Sequence, residues 1–141
     1  MTATLTPRFD NAAFGCGRAQ IRAHYRHLAT VVTIIGLIDS VNVDAVTAYT
    51  QRFILAKDPL ILDLSDVRIS TADAVTLMRT LAQDCRAAGV ECMLVAPGAL
   101  AEVAGDDDFP LAGSVHEALH CFADEINARR QLLLPLIKKS A

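Results

Sequence analysis

Three residues near the middle of the chain combine hydroxyl and carboxylate chemistry at the predicted start of a helix. Ser70, Thr71 and Asp73 follow a short apolar run and precede an apolar stripe of helical spacing. The free N–H groups of a helix start carry a partial positive charge, which stabilises an anion. The spacing Ser-x-x-Asp also fits a helix cap. These residues are therefore compatible with a cap and with an anionic interaction site.

A second pattern, His-Glu-x-x-His at 116–120, has the spacing of a zinc site on a helix. Two histidines one turn apart bind the metal in such sites, and the glutamate is the general base. The only acids after His120 are Asp124 and Glu125, on the same predicted helix, so a third ligand is lacking. We predict no metal and no cofactor. A metal-dependent enzyme at His116 and His120 is the weakest of three functional hypotheses.

Four cysteines, at positions 16, 85, 92 and 121, show no metal-binding spacing. This pattern indicates buried free thiols in a reducing cytoplasm. Cys85 falls on the apolar stripe of a predicted helix, and Cys92 opens the predicted strand after it. Packing is the interpretation that we favour for Cys85, and a redox pair with Cys92 is the alternative.

The composition excludes several classes of protein. A chain of 141 residues has the length of one domain, and 52% apolar with 5% aromatic residues predicts an aliphatic core. A net charge of −3 disfavours a nucleic-acid-binding protein. No apolar run approaches the roughly 18 residues of a membrane span, and no signal peptide is recognisable. We predict a cytoplasmic protein that binds neither nucleic acid nor membrane. Without a phosphate loop or a nucleophile motif, we predict that it is not an enzyme.

Alternating strand and helix patterns supply the elements that position these residues. The apolar run at 60–64 is typical of a strand buried on both faces, and residues 67–69 would connect it to the next helix. The short link between the first two strands predicts a hairpin, and the later alternation predicts parallel pairing. The predicted strands cover 20–25, 28–35, 60–64, 92–96 and 109–112. The predicted helices run from Asn42, the N-cap, to about 56, over 72–88, and from Ser114, the next N-cap, to about 134.

The ends of the chain differ in composition from its middle. Residues 1–18 lack periodicity and predict a flexible N-terminal arm, which leaves one domain over 19–130. The tail at 131–141 is apolar and basic, and we expect it to pack back on the domain or to form a dimer contact. Between the predicted strand at 92–96 and the final predicted helix, residues 99–104 leave room only for a shortened helix, which an acidic turn at 105–108 follows.

The segment around Ser70 resembles the signature of the STAS family, the anti-sigma factor antagonists of bacteria. Residues 63–65 read Asp-Leu-Ser as in that family, residues 36–39 supply its Gly-x-x-Asp, and residues 114–119 supply its Ser-x-x-Glu-Ala-Leu. The resemblance covers about residues 20–125. It implies an α/β fold with a single STAS-like domain, in which a mixed, mostly parallel β-sheet begins with a β-hairpin and carries packed α-helices.

The resemblance also marks a difference at the switch segment. Members of the family read Asp-Ser-Ser-Gly there, and the second serine is phosphorylated by an anti-sigma kinase. This chain has Thr71, Ala72, Asp73 and Ala74 instead, so Asp73 occupies the acceptor position without a hydroxyl. Three interpretations follow: Asp73 is a cap, it locks the state that phosphorylation would produce, or Ser70 or Thr71 replaces the acceptor.

A regulatory function follows from the same resemblance. It implies a non-enzymatic protein that binds a kinase-like anti-sigma factor in a partner-switching pathway, without regulation by phosphorylation at Asp73. The alternative is a STAS scaffold or oligomerisation module, such as a homodimer, without a direct link to a sigma factor. The predicted partner-binding residues are Asp39, Ser40, Asn42, Ser70, Thr71, Asp73, Thr76 and Arg79.

Overall fold

The computed structural model describes residues 13–26, 28–98, 100–102 and 109–140. A short helical stretch at residues 98 and 100–102 lies between the last two strands. In chain order the remaining elements are β1 (Ala13–Cys16), β2 (Ala19–Tyr25), β3 (Thr30–Ile38), α1 (Val43–Leu55), β4 (Leu60–Ile69), α2 (Thr71–Ala88), β5 (Cys92–Val95), β6 (Leu111–Ala112) and α3 (Val115–Ser140).

The strands form one mixed sheet in the order β1-β2-β3-β4-β5-β6. The β1–β2 and β2–β3 pairs are antiparallel, and the β3–β4, β4–β5 and β5–β6 pairs are parallel. A parallel pair needs a crossover connection, which α1 and α2 provide between β3, β4 and β5. The predicted mixed sheet with an N-terminal hairpin is confirmed. None of the helices in the described ranges is long and apolar enough to cross a membrane.

Helices cover both faces of this sheet. On one face α1 and α2 pack against Val32, Ile34 and Leu62. On the other face α3 packs against Val31 and Ile61. Successive strand residues point to opposite faces, so the unbroken burial at the start of β4 is the mark of a strand covered on both sides, as predicted.

Helix α2 buries the stripe that the sequence predicts. The buried residues of this stripe are Ala74, Leu77, Met78, Leu81 and Cys85, and the structure adds Ala82. Gly89 ends the helix in the left-handed conformation, at φ 71°, where a residue without a side chain is favoured. Cys85 lies on the buried stripe as predicted, and its side chain belongs to the core between α2 and the sheet.

The N-terminal part of the described chain differs from the prediction. The sequence predicted a flexible arm over residues 1–18, but residues 13–16 form the edge strand β1. Pairing with β2 supplies the order that this unpatterned segment does not show by itself. Residues 1–12 lie outside the described ranges, so that part of the arm stays a prediction.

Strand β4 continues five residues beyond its predicted end at Leu64 and reaches Ile69. The register against β3 shifts just before Ile35, which pairs with Asp66, so β4 contains one extra residue in a β-bulge. Ser65 is exposed in this bulge, and Asp63 Oδ1 accepts hydrogen bonds from its N–H at 3.0 Å and its hydroxyl at 2.6 Å. After the bulge, the apolar residues of β4 return to the face that α1 and α2 cover.

The last helix also extends past its predicted end at about residue 134. It runs through Pro135 to Ser140. Proline lacks one N–H group and usually ends or kinks a helix, which is why the sequence predicted a stop there. The tail side chains and residues 103–108, with the acidic turn, lie outside the described part, so the expected packing or dimer contact of the tail stays a prediction.

Candidate functional site

The two loops predicted to contact a partner lie side by side at one edge of the sheet. Strands β3 and β4 run parallel, and Ile38 pairs with Ile69 at their ends. Residues 39–42 therefore leave the sheet beside residues 70–73, and α1 and α2 both begin there. We call these two segments the helix-start edge. Two helix starts place two partially positive ends at this edge.

Ser70 caps α2, as the sequence predicts. Its Oγ accepts a hydrogen bond from the N–H of Asp73 at 3.2 Å, and its hydroxyl donates to Asp73 Oδ2 at 3.0 Å. In a complete capping box the carboxylate would accept from the N–H of Ser70, whereas here it holds the hydroxyl. Asp73 is half-buried. One carboxylate is thus fixed at the positive end of α2 and still reaches the surface.

Asn42 begins α1 in a different way from the predicted cap. It occupies the N-cap position, but its side chain forms no cap hydrogen bond. Instead, Nδ2 donates to the carbonyls of Cys16 at 2.8 Å and Leu37 at 2.9 Å. Oδ1 accepts from the N–H of Asp39 at 2.8 Å. With 4% of its surface exposed, Asn42 is not open to a partner, and we remove it from the predicted contact surface.

Asp39 shapes the loop before α1. Its Oδ1 accepts hydrogen bonds from the N–H groups of Val41 and Asn42, both at 3.0 Å. Its carbonyl accepts from the N–H of Val43 at 2.9 Å. An aspartate that bonds to the backbone two and three residues later favours a tight turn. The carboxylate therefore holds the loop in place, and Ser40 is the exposed polar residue beside it.

Val41 is a surface residue that sequence reasoning missed. It lies at the tip of this loop with 88% of its surface exposed. Water contact with an apolar side chain is unfavourable, and burial of a valine on binding contributes about 1.5 kcal/mol or more. The sequence held one signal for this exposure, because Val41 lies between two polar residues and outside the apolar stripe of α1.

The outer face of α2 is open, as predicted. Thr71, Thr76 and Arg79 are exposed. Asp73, Thr76 and Arg79 follow one another at intervals of three, so they lie along one face of the helix. Thr76 donates its hydroxyl to the carbonyl of Ala72 at 3.2 Å. The side chains predicted to contact a partner thus form one strip that begins at the helix-start edge.

A cavity of about 260 Å³ lies against the start of α2. Strand β5 pairs with β4 only as far as Asp63, so the final residues of β4 lack β5 as a neighbour. Sequence reasoning treated residues 67–69 as a connection and missed this cavity. The sequence did contain a signal that the strand continues, because polar and apolar residues alternate over 66–69, as is typical of a strand. The cavity is lined by Val67, Arg68, Ile69, Thr71, Ala74, Pro97 and Leu100.

The two histidines of the zinc-like pattern lie on the outer side of α3. The rings of His116 and His120 are 4.6 Å apart, and both side chains are exposed. Glu117 forms a cap instead: its carboxylate accepts from the N–H of Gly113 at 3.2 Å, and its N–H donates to Ser114 Oγ at 3.1 Å. No group of three potential metal ligands occurs within the described ranges.

Known proteins resemble this chain in sequence and in fold. A sequence model of the STAS domain matches residues 19–104. Osmosensory protein A of Mycobacterium tuberculosis (strain ATCC 25618 / H37Rv) is 47% identical over 146 residues, which cover 98% of this chain and 92% of that protein. The similarity extends across nearly the whole of both chains.

Two solved structures share the fold. An anti-sigma factor antagonist from Mycobacterium paratuberculosis superposes with a TM-score of 0.61 at 21% identity, over 74% of this chain and 94% of that one. The anti-sigma factor antagonist SpoIIAA in its unphosphorylated form superposes with a TM-score of 0.57 at 13% identity, over 76% and 97%. At these identities the likeness concerns the fold.

Proposed function

This chain belongs to the STAS domain family, and from that membership we propose that it is a non-enzymatic regulator of the anti-sigma factor antagonist type. It acts in the cytoplasm of a bacterium by binding a kinase-like anti-sigma factor in a partner-switching pathway. The likeness in fold to two anti-sigma factor antagonists supports this kind of partner. The binding surface is the helix-start edge without Asn42, together with the outer face of α2.

The observation that carries this proposal is the arrangement at the start of α2. The Ser70 hydroxyl and the Asp73 carboxylate are hydrogen-bonded at the surface, where the exposed Val41 lies on the adjacent loop. A carboxylate cannot accept phosphate as a serine does, so phosphorylation at position 73 does not regulate this protein. Asp73 supplies one permanent negative charge at a helix end that favours an anion.

Charge insertion at the exposed loop tip tests the binding surface. Val41→Glu places a carboxylate in the proposed contact, and we expect its affinity for the anti-sigma factor to fall about tenfold or more, which is about 1.4 kcal/mol. Leu55→Glu is the matched control, because Leu55 is 74% exposed at the other end of α1. The measurement is calorimetric titration against each kinase-like anti-sigma factor of the source organism.

The outcomes separate this proposal from its alternative. If both variants lowered the affinity for the anti-sigma factor equally, the proposed binding surface would be wrong, but the proposed partner would still stand. If the wild-type protein binds none of these factors and only self-associates in sedimentation experiments, it is a scaffold or oligomerisation module instead.

Incubation with the kinase-like factor and ATP tests the role of Asp73. We expect no phosphate on the wild-type protein, whereas the Asp73→Ser variant should accept phosphate at position 73, as mapped by mass spectrometry. Phosphate on Ser70 or Thr71 of the wild-type protein would show that a neighbouring hydroxyl replaces the acceptor. If Asp73→Ser leaves affinity unchanged before phosphorylation, the wild-type carboxylate acts only as a cap.

The named relative adds a stimulus to the proposal. Osmosensory protein A is 47% identical to this chain over 146 aligned residues, and we extend an osmotic role to the pathway in which this chain acts. The test measures genome-wide transcript levels after a rise in osmolarity, in a strain that carries the gene for this protein and in a strain that lacks it. An identical response in both strains would contradict it without affecting partner binding.

A further inference from the structure

The end of α2 and the start of β5 bring two thiols together, at the opposite end of α2 from the helix-start edge. The left-handed Gly89 closes the helix, and the N–H of Val90 donates to the carbonyl of Cys85 at 2.9 Å. The chain thereby turns back beneath the last turn of α2, and Cys92 opens β5 two residues later. Both side chains belong to the same buried cluster, in which the Cys92 thiol donates a hydrogen bond to the carbonyl of Met93 at 3.9 Å.

A cavity of about 330 Å³ reaches both thiols. Cys85 is 5% exposed and Cys92 is 8% exposed, so most of each side chain is covered by protein. A water molecule occupies about 30 Å³ in the liquid, and hydrogen peroxide is only slightly larger, so the cavity admits a small peroxide. The ion pair between Arg129 and Glu91, at 2.6 Å, lies on the lining of this cavity.

The two thiols differ in their electrostatic surroundings. The neighbouring Cys92 side chain holds the pKa of Cys85 below its ordinary value, although burial and the nearby Asp84 act in the opposite direction. The neighbouring Cys85 side chain, together with burial, raises the pKa of Cys92. The thiolate is the nucleophilic form of cysteine, so this difference favours Cys85 as the attacking sulfur and Cys92 as the resolving one.

We propose that Cys85 and Cys92 form a dithiol site that a small peroxide converts reversibly into a disulfide between α2 and β5. Both cysteines line one cavity and belong to one buried cluster, so a local movement of the turn between them would bring their sulfur atoms to bonding distance. The short connection through Gly89 is the place where the backbone accommodates that movement, because glycine adopts both signs of φ. This inference is independent of the partner proposed above.

The reaction balances with hydrogen peroxide as the oxidant. The Cys85 thiolate attacks one peroxide oxygen; an S–O bond forms, the O–O bond breaks, and the departing hydroxide takes up a proton to become water. The Cys92 sulfur then attacks the sulfenic sulfur of Cys85; the S–S bond forms, the S–O bond breaks, and the second water leaves with the Cys92 proton. The two thiols lose two electrons, and the peroxide is reduced to two waters.

Peptide mapping of the full chain tests the site. The reduced protein is treated with hydrogen peroxide, denatured, blocked at its remaining thiols and digested with trypsin and the protease Asp-N. Cleavage after Arg86 and before Asp106 places Cys85, Cys92 and Cys121 on three separate peptides. We expect two of the four thiols to be lost, a mass decrease of about 2 Da, and a linked pair of peptides that dithiothreitol releases.

Cysteine variants provide the controls. A double variant, Cys16→Ser with Cys121→Ser, should behave like the wild-type protein. Cys92→Ser should stop at the sulfenic acid on Cys85, which dimedone traps, and Cys85→Ser should form no disulfide. If a variant does not fold, the peptide map of the wild-type protein still decides. Four unreacted thiols, a linkage through Cys16 or Cys121, or a disulfide between chains only would overturn the proposal.

Discussion

The starts of α1 and α2 lie next to each other at the same edge of the sheet, yet they are built for different tasks. At α1 the polar side chain, Asn42, is buried and holds the carbonyls of two strands. At α2 the polar side chains, Ser70 and Asp73, bond to each other at the surface. The first start fixes the scaffold, and the second presents polar groups on that scaffold.

This difference shows how a stable fold can present hydrogen-bonded polar groups at its surface. A buried polar group needs hydrogen-bond partners within the protein, and one partner of Asn42 is Cys16, which lies 26 positions earlier. A surface cap needs only a neighbour three residues away, so a change at Ser70 or Asp73 leaves the core untouched. Substitutions at the two starts should therefore separate stability from binding.

The largest expected effect is that of Asn42→Ala. The carbonyls of Cys16 and Leu37 and the N–H of Asp39 would lose their partner in a largely buried place, and we expect the free energy of unfolding to fall by about 3 kcal/mol. Urea unfolding followed by circular dichroism measures this change. Ser40→Ala on the same loop is the matched control and should be neutral. A loss below about 1 kcal/mol for Asn42→Ala would remove the contrast between the two starts.

An intermediate effect is expected for Ser70→Ala. Loss of the cap on α2 should lower the free energy of unfolding by about 1 kcal/mol, because the N–H of Asp73 loses its acceptor within the protein. Thr71→Ala, one residue later on the exposed surface, should change stability by much less. Equal losses from both variants, measured by the same urea titration, would show that the cap of Ser70 contributes nothing specific.

The smallest expected effect is the coupling between Ser70 and Asp73. A double-mutant cycle with Ser70→Ala and Asp73→Ala should give an interaction energy of about 0.5 kcal/mol, since the pair is hydrogen-bonded but partly exposed. Strict additivity of the two single changes would mean that the bond between the hydroxyl and the carboxylate has no energetic weight. The Asp73 carboxylate would then contribute to partner binding and not to the stability of the cap.

Local patterns allowed much of the fold to be predicted, and tertiary contacts account for the rest. The stripe on α2 and the cap at Ser70 depend on residues a few positions apart, so the sequence displays them directly. Strand β1 has no such pattern, since its order comes from pairing with β2. The end of β4 was predicted too early because the bulge interrupts the alternation after Leu64.

The candidate site was likewise predicted where its signals are local and missed where they depend on tertiary contacts. Ser70 and Asp73 were identified because a helix cap is a local signal. The burial of Asn42 was not, since its partner Cys16 belongs to a segment that the sequence marks as unordered. Val41 was missed because valine is usually buried, whereas the loop geometry leaves this one 88% exposed.

The bulge in β4 has a consequence for chain length in related proteins. Leu64 and Ser65 together stand opposite Ile34, because Thr33 pairs with Asp63 and Ile35 pairs with Asp66. A relative that lacks one residue here would restore unbroken alternation and keep every side chain after the gap on its present face. Relatives that keep the Asp-Leu-Ser of residues 63–65 should therefore keep the bulge, and with it the pairing of Ile38 with Ile69.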